Sequence, residues 1–156
     1  MARGAGVTVS KATARDLDEV AALFDAYRVF YRQSTDIAAA RAFLAERFKR
    51  GDSVVLLARH NGIATGFIQL YPSFSSVSMQ RVWILNDLYV APGGRRLGVG
   101  RRLMEHARSL ATATGAIRIE LTTEHNNTIA QALYRHCGYV RDDVFYKFIL
   151  TVGARA

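Results

Sequence analysis

Leu85-Asn86-Asp87-Leu88-Tyr89-Val90-Ala91-Pro92-Gly93-Gly94-Arg95-Arg96-Leu97-Gly98-Val99-Gly100-Arg101-Arg102-Leu103-Met104 runs from an apolar strand, through a turn, into a helix. The apolar run ends at Val90, Pro92, Gly93 and Gly94 carry the turn, and a helical pattern opens near Arg96. First-turn N–H groups of such a helix lack partners, and its dipole adds about half a positive charge there, so this succession suits an anion. Gly98 and Gly100 remove side chains that would hold an anion off the backbone. Arg95, Arg96, Arg101 and Arg102 add full charge around the same point. Two common phosphate loops do not fit. A P-loop needs Gly-Lys-Ser/Thr, and the dinucleotide fingerprint needs a third glycine where Leu103 stands.

The chain has 156 residues, half of them apolar, which predicts one domain over 1–156 with a sizeable core. Two prolines and no low-complexity tract leave no sign of a linker. The first residues lack the apolar core of a secretory signal. The longest aliphatic run, Val54 to Ala58, is far below the roughly 20 residues of a membrane span. Cys137 is the only cysteine, so no internal disulfide forms, and a reducing, cytoplasmic setting is expected. The net charge is +8 and the pI about 10.1. The arginines are densest at 95–102, which points to a ligand phosphate rather than to a nucleic-acid groove. No histidine–carboxylate spacing suits a metal.

Around this segment the hydrophobic periods set the elements. Val7 and Val9 alternate with Thr8 and Ser10 as a first strand. Leu17, Val20, Ala21, Phe24 and Tyr27 line one helix, and Ala39, Ala40, Phe43, Leu44 and Phe48 a second, with Asp36 as its N-cap. Ser53 to Arg59 and Ile63 to Tyr71 read as strands joined by an Asn61-Gly62 hairpin turn. Gly66 suggests a bulge or a close backbone approach. The serine-rich 72–79 reads as a loop, and Gln80 to Val90 as the central strand. After the helix from about Arg96 to Gly115, Ile117, Ile119 and Leu121 alternate as a strand parallel to its predecessor. Asn126 to Thr128 start a last helix that Gly138 stops. Tyr139-Val140 and Val144 to Val152 read as closing strands, hairpinned across Asp142-Asp143.

Two motifs in this order resemble the GNAT superfamily of N-acetyltransferases. One is Arg95-x-x-Gly98-x-Gly100 directly after Leu88-Tyr89-Val90. The other is Asn127-x-x-Ala130-x-x-Leu133-Tyr134-x-x-x-Gly138-Tyr139. The element order β-α-α-β-β-β-α-β-α-β-β extends the resemblance over nearly the whole chain. It implies an α/β (α+β) GNAT fold, with a mixed sheet of about seven strands, four helices and a coenzyme slot between splayed parallel strands. Acetyl-CoA is the implied co-substrate, with no metal. Its pantetheine arm would pair with Leu88, Tyr89 and Val90, and its pyrophosphate would sit over Arg95, Arg96, Leu97, Gly98, Val99, Gly100 and Arg101. Asn127, Ala130 and Tyr134 would close the other side.

Acetyl transfer needs a neutral amine, an oxyanion donor and a proton for the departing thiolate. The motif gives the proton to Tyr134. The Leu-x-Asp-x-aromatic-Val run resembles the spermidine/spermine acetyltransferases, with Asn86 in place of their glutamate. That leaves Asp87 as the base, directly or through water, or as a mere acceptor that fixes a turn or an arginine. Tyr31, Trp83 and Asp87 are the expected acceptor contacts, within a wall that also includes Tyr27, Phe30, Gln33, Tyr71 and Phe74. Asp25 or Asp36 would attract a cation. His60, His106, His125 and His136 show no partnership, His125 lying nearest the slot. Cys137 falls on the buried face of its helix. The expected function is acetyl transfer to a small primary amine, such as a polyamine, diamine or amino acid. The alternatives are a protein lysine or N-terminal acetyltransferase, or a non-catalytic acyl-CoA sensor. A homodimer is expected, with no membrane and no nucleic-acid partner.

Overall fold

The period-2 pattern at the start of the chain forms β1 (Val7–Lys11). Thr13 and Asp16 then make a reciprocal capping box over a short 3-10 turn. α1 (Leu17–Phe30) buries Leu17, Val20, Ala21 and Leu23. Asp36 accepts the Ala39 N–H at 3.0 Å and caps α2 (Ile37–Arg50). β2 (Val54–His60) and β3 (Ile63–Ser75) are joined by Asn61 and Gly62, both at positive φ, as a two-residue Asn-Gly hairpin requires. β4 (Gln80–Val90), α3 (Val99–Ala113), β5 (Ile119–Glu120) and α4 (Thr128–His136) follow. The computed structural model describes residues 6–153. The signal-segment reading at 1–5 and the last residues of the expected 1–156 domain lie outside that range.

The sheet order is β1-β2-β3-β4-β5, antiparallel as far as β4 and parallel between β4 and β5. α3 packs on one face, where Val99, Leu103 and Met104 meet Leu56, Ile68, Leu70, Trp83 and Leu85. α1 and α2 cover the other face, over Val55, Leu57 and Phe67.

Two bulges control which side chains reach which face. Between Gln69↔Asp87 and Leu70↔Leu85 the register slips, and Asn86 is the extra residue on β4. Strand alternation would put Leu85 and Asp87 on one face; the bulge inverts it. Leu85 therefore packs toward α3, while Asp87 pairs with Gln69 and faces α1. Thr65 plays the same part on β3, so Gly66 faces α3 and Ala64 the opposite side.

The architecture is an α/β fold with a mixed sheet and four helices, as expected. Three expectations need correction. The sheet has five strands among the described residues, not about seven. The closing strands expected at Tyr139-Val140 and Val144 to Val152 do not form: residues 140–153 are exposed throughout, and no strand among the described residues pairs with them. The helix begins at Val99 rather than near Arg96, because Arg96 (φ 63°) and Gly98 (φ 77°) are left-handed and cannot continue a right-handed turn. Two boundaries also move. β5 holds only Ile119 and Glu120 of the strand expected from Ile117, Ile119 and Leu121, and β3 runs on to Ser75, with Pro72 in register with Trp83, which narrows the serine-rich loop to 76–79.

The close approach expected at Gly66 is present. A Cβ there would lie 2.8 Å from the Tyr89 carbonyl oxygen and 3.0 Å from Val99. The first contact is backbone in the sheet centre and cannot swing aside. Overpacking of this kind costs about 1–3 kcal/mol. Gly66→Ala is therefore expected to lower Tm by roughly 2–10 °C. Thermal unfolding by circular dichroism checks this, and an unchanged Tm contradicts it.

Candidate active site

β4 and β5 pair only at Trp83↔Ile119 and Ile84↔Glu120. From Leu85 onward the outer edge of β4 has no strand partner among the described residues. Ala91 N–H donates to the Thr65 carbonyl at 2.8 Å, and Gly66 stands opposite Val90. In an antiparallel ladder this phase turns the main-chain groups of Leu88 and Val90 to the free edge and those of Tyr89 to β3. Leu88 and Val90 thus offer a short hydrogen-bonding edge in the gap where the strands part.

The turn after β4 is packed tightly: Gly94 is buried, and a Cβ there would lie 2.9 Å from Thr65. Left-handed Arg96 and Gly98 then curl the backbone into the head of α3. Among the described residues, the N–H groups from Arg96 to Arg101 donate to no backbone carbonyl, and no side chain caps the helix. Consecutive unpaired amides around left-handed residues form an anion-binding nest. Arg95 and Arg96 are exposed beside it and have no acidic partner among the described residues. Arg101 and Arg102 instead pair with Glu105, at 3.2 and 3.5 Å. The two glycines divide the work. Gly98 is needed for its φ, whereas a Cβ on Gly100 would meet Leu133 of α4 at 3.1 Å, so Gly100 lets the two helices touch.

That contact leads inward. Tyr134, next to Leu133, is mostly buried, and burial with neighbouring Tyr31 and Tyr139 pushes its phenol up to about 12. Tyr31 and Tyr27 stack edge to face at 5.0 Å. The Tyr27 hydroxyl reaches the Asn86 carbonyl at 3.5 Å and borders the Asp87 carboxylate. Burial, and secondarily Asp87, push the Tyr27 phenol up. Asp87 is 4% exposed. Gln69 Nε2 donates to its Oδ2 at 2.8 Å and Asn86 Nδ2 to its Oδ1 at 3.0 Å. Gln69 is held in turn by the Ser53 hydroxyl at 3.1 Å. Burial raises the Asp87 pKa, and the donors from Gln69, Tyr27 and Asn86 pull part of that back. A line of neighbouring groups therefore runs from Tyr134 past Tyr31 and Tyr27 to Asp87, and the helix headed by the amide nest meets α4 where Gly100 faces Leu133.

Not every expected residue joins this line. Trp83 does not: it packs against α3 and gives its indole N–H to Thr114 at 2.9 Å. Trp83 and Asp87 share odd numbering, but the Asn86 bulge puts them on opposite faces. Asp25 and Asp36 are spent locally. Asp25 accepts from the Thr35 hydroxyl at 2.6 Å and the Asp36 N–H at 2.7 Å, and Asp36 caps α2. Asn127 caps α4, accepting the Ala130 N–H at 3.3 Å, and its side chain also borders Tyr31, which keeps it beside the line. The His125 side chain is exposed, while its carbonyl accepts from Gln131 at 3.0 Å. Phe74 is exposed under Arg81. Among the described residues no group of His, Cys, Asp and Glu could hold a metal, and no helix is long and apolar enough to cross a membrane.

Sequence reasoning passed over two participants. Gln69 carried no signal, since its role depends on register with Asp87. Glu124, which takes Arg32 in an ion pair at 2.9 Å and borders Tyr31, ties the end of α1 to the loop before α4. Both partners are substantially exposed, so the pair positions more than it stabilises.

Residues 20–139 match the Acetyltransferase (GNAT) family. An uncharacterized N-acetyltransferase, YhfO, of Bacillus subtilis is 45% identical over 149 residues, which cover 96% of this chain and all of that protein. The D-amino-acid N-acetyltransferase HPA3 of Saccharomyces cerevisiae is 38% identical over 86 residues, covering 55% of this chain and 53% of that enzyme. A crystal structure of a probable acetyltransferase superposes with a TM-score of 0.89 at 40% identity, covering 95% of this chain and 99% of that one.

Because burial raises the Asp87 pKa, the folded protein binds that proton more readily than the unfolded chain does. Stability from this group is then greatest in acid and falls as pH rises from the ordinary value of 3.8 through the raised folded one. Relative to wild type, Asp87→Asn is expected to gain Tm across that window and hold a constant difference above it. Paired melting curves from about pH 3 to about pH 8 check this. A difference that is flat throughout contradicts it.

Proposed function

The chain belongs to the acetyltransferase (GNAT) family, and from that premise we propose that it moves the acetyl group of acetyl-CoA to the primary amine of a small molecule: a polyamine, a diamine or an amino acid. Family membership makes it an acyltransferase. The observation that carries the finer reading is the run of unpaired amides from Arg96 to Arg101, at the head of a helix that meets α4 at Leu133, the neighbour of Tyr134.

The nest at 96–101, with Arg95 and Arg96, suits a diphosphate, and the free main-chain groups of Leu88 and Val90 suit the amides of a pantetheine arm. Acetyl-CoA, when bound, supplies an acyl group on a good leaving sulfur. Tyr134, at about 12, keeps its proton at neutral pH and is therefore a donor to that sulfur rather than a base. A free N–H on the β4 edge serves the developing oxyanion. Asp87 is the one carboxylate in the line. It attracts the acceptor ammonium, whose unperturbed pKa is near 10.4, and takes its proton, directly or through water. Its raised pKa improves it as a base over an ordinary aspartate. Tyr27 and Tyr31 offer aromatic faces to a cation.

The name of the yeast relative, a D-amino-acid N-acetyltransferase, supports the amino-acid arm of the small-amine class. A lysine- or N-terminus-directed activity, and an acyl-CoA sensor without turnover, are the competing readings.

Thiol release from acetyl-CoA against a panel of polyamines, diamines, amino acids and lysine peptides tests the reading. Turnover is expected with at least one small amine, and Tyr134→Phe is expected to cut kcat by about 100-fold while KM for acetyl-CoA stays near wild type. Turnover with peptides alone overturns the acceptor class. Binding without any turnover makes the protein a sensor.

A further inference from the structure

Gln69 is an amide at a position where the strand pattern calls for a hydrocarbon. Phe67, two residues earlier on β3, belongs to the core under α1 and α2. Gln69 takes the next place on that face and is 0% exposed. An amide buried there without partners would be strongly destabilising. Both of its ends are partnered. Nε2 donates to Asp87 Oδ2 at 2.8 Å, directly across the register pair Gln69↔Asp87. Oε1 accepts from the Ser53 hydroxyl at 3.1 Å.

The two ends of an amide are nearly equal in size, so packing does not choose between them; hydrogen bonding does. Ser53 immediately precedes β2, whose Val55 stands opposite Gln69. Its donated hydroxyl occupies Oε1 and leaves Nε2 turned to Asp87. Turned over, the amide would set its carbonyl against a carboxylate that can only accept. Asn86 Nδ2 holds the other oxygen, Oδ1, at 3.0 Å, but Asn86 is exposed, so the buried Gln69 is the firmer of the two supports. The titratable groups that face Asp87 are phenols: Tyr27 and Tyr31 from α1 and Tyr71 from β3, each pushed up by burial. Among the described residues no charged side chain joins Gln69, Tyr27 and Asn86 in shifting it. An ionised carboxylate has about four acceptor positions. Three donors therefore leave one position for a substrate amine, and its direction follows from the plane of the carboxylate.

We propose that Gln69, braced by Ser53, is a positioning residue for acetyl transfer: it sets the plane of the Asp87 carboxylate so that the one open acceptor position meets the incoming amine. The inference rests on the reading of Asp87 as the base. Gln69 acts through Asp87 and Ser53 through Gln69. A hydrogen bond to a carboxylate favours its charged form. Loss of the Gln69 donor therefore makes Asp87 hold its proton more tightly, so that it becomes a free base only at higher pH. It also lets the carboxylate swing away from the amine. Neither effect reaches the amides at 96–101.

Carboxyl-carbon NMR of the full chain, isotope-labelled at aspartate and free of substrate, follows Asp87 directly; its resonance is the one missing from Asp87→Asn. In Gln69→Met the titration of Asp87 is expected to move up by about one pH unit. Ser53→Ala is expected to move it the same way by less, and Ser53→Thr, which keeps the hydroxyl, to restore it. With spermidine, putrescine and alanine as acceptors, the acid limb of kcat/KM is expected to follow the same order. In Gln69→Met kcat is expected to fall about tenfold, with KM for acetyl-CoA held. A titration unmoved in Gln69→Met and Ser53→Ala overturns the proposal, and so does one that moves while the limb stays in place. Asp87→Asn separates the two failures. If it keeps wild-type turnover, the base reading falls and takes this inference with it; if it loses turnover while the limb of Gln69→Met stays put, only this inference falls. Should Gln69→Met fail to fold, Ser53→Ala, at a half-buried position, decides, and the NMR titration decides without any acceptor.

Discussion

The parting of β4 from β5 governs everything functional in this molecule. Parallel strands held for two residue pairs and then released create a gap with main-chain groups on its wall. The helices that follow the two strands, α3 and α4, stand on either side of that gap and touch where Gly100 meets Leu133. Had the strands stayed paired to their ends, Leu88 and Val90 would be satisfied by protein. Ligands bind α/β sheets at such crevices because the backbone there is left incomplete.

A second constraint decides what reaches the gap. One extra residue, Asn86, turns β4 over, so that a strand serving the α3 core through Leu85 delivers a carboxylate to the α1 side at Asp87. Burying Asp87 is tolerable because three donors surround it, and the same burial raises its proton affinity. Stability and chemistry are thus set by one local irregularity.

That irregularity also marks where the sequence stopped being legible. The helices, the Asn61-Gly62 hairpin and the central strand followed from period and turn chemistry, and the two motifs pointed to Tyr134 and to the loop at 95–100. Face assignments on β4 did not follow, because a bulge leaves no mark in a simple alternation count. Trp83 was therefore grouped with Asp87, although it belongs to the opposite core. Gln69 and Glu124 were invisible for a related reason: each matters through a partner distant in the chain. The closing strands expected at the C-terminus do not form, because an alternating apolar pattern makes a strand only where an open edge pairs with it, and pattern alone does not show that edge.

The central claim is that the amides heading α3 form the cradle for a coenzyme diphosphate. Backbone amide NMR of the labelled protein, titrated with coenzyme A, addresses it at the atoms concerned. The account predicts that the N–H resonances of residues 96–101 move most, with those of Leu88 and Val90 next. Unmoved resonances at 96–101, with shifts confined to residues outside that run and outside β4, would contradict it.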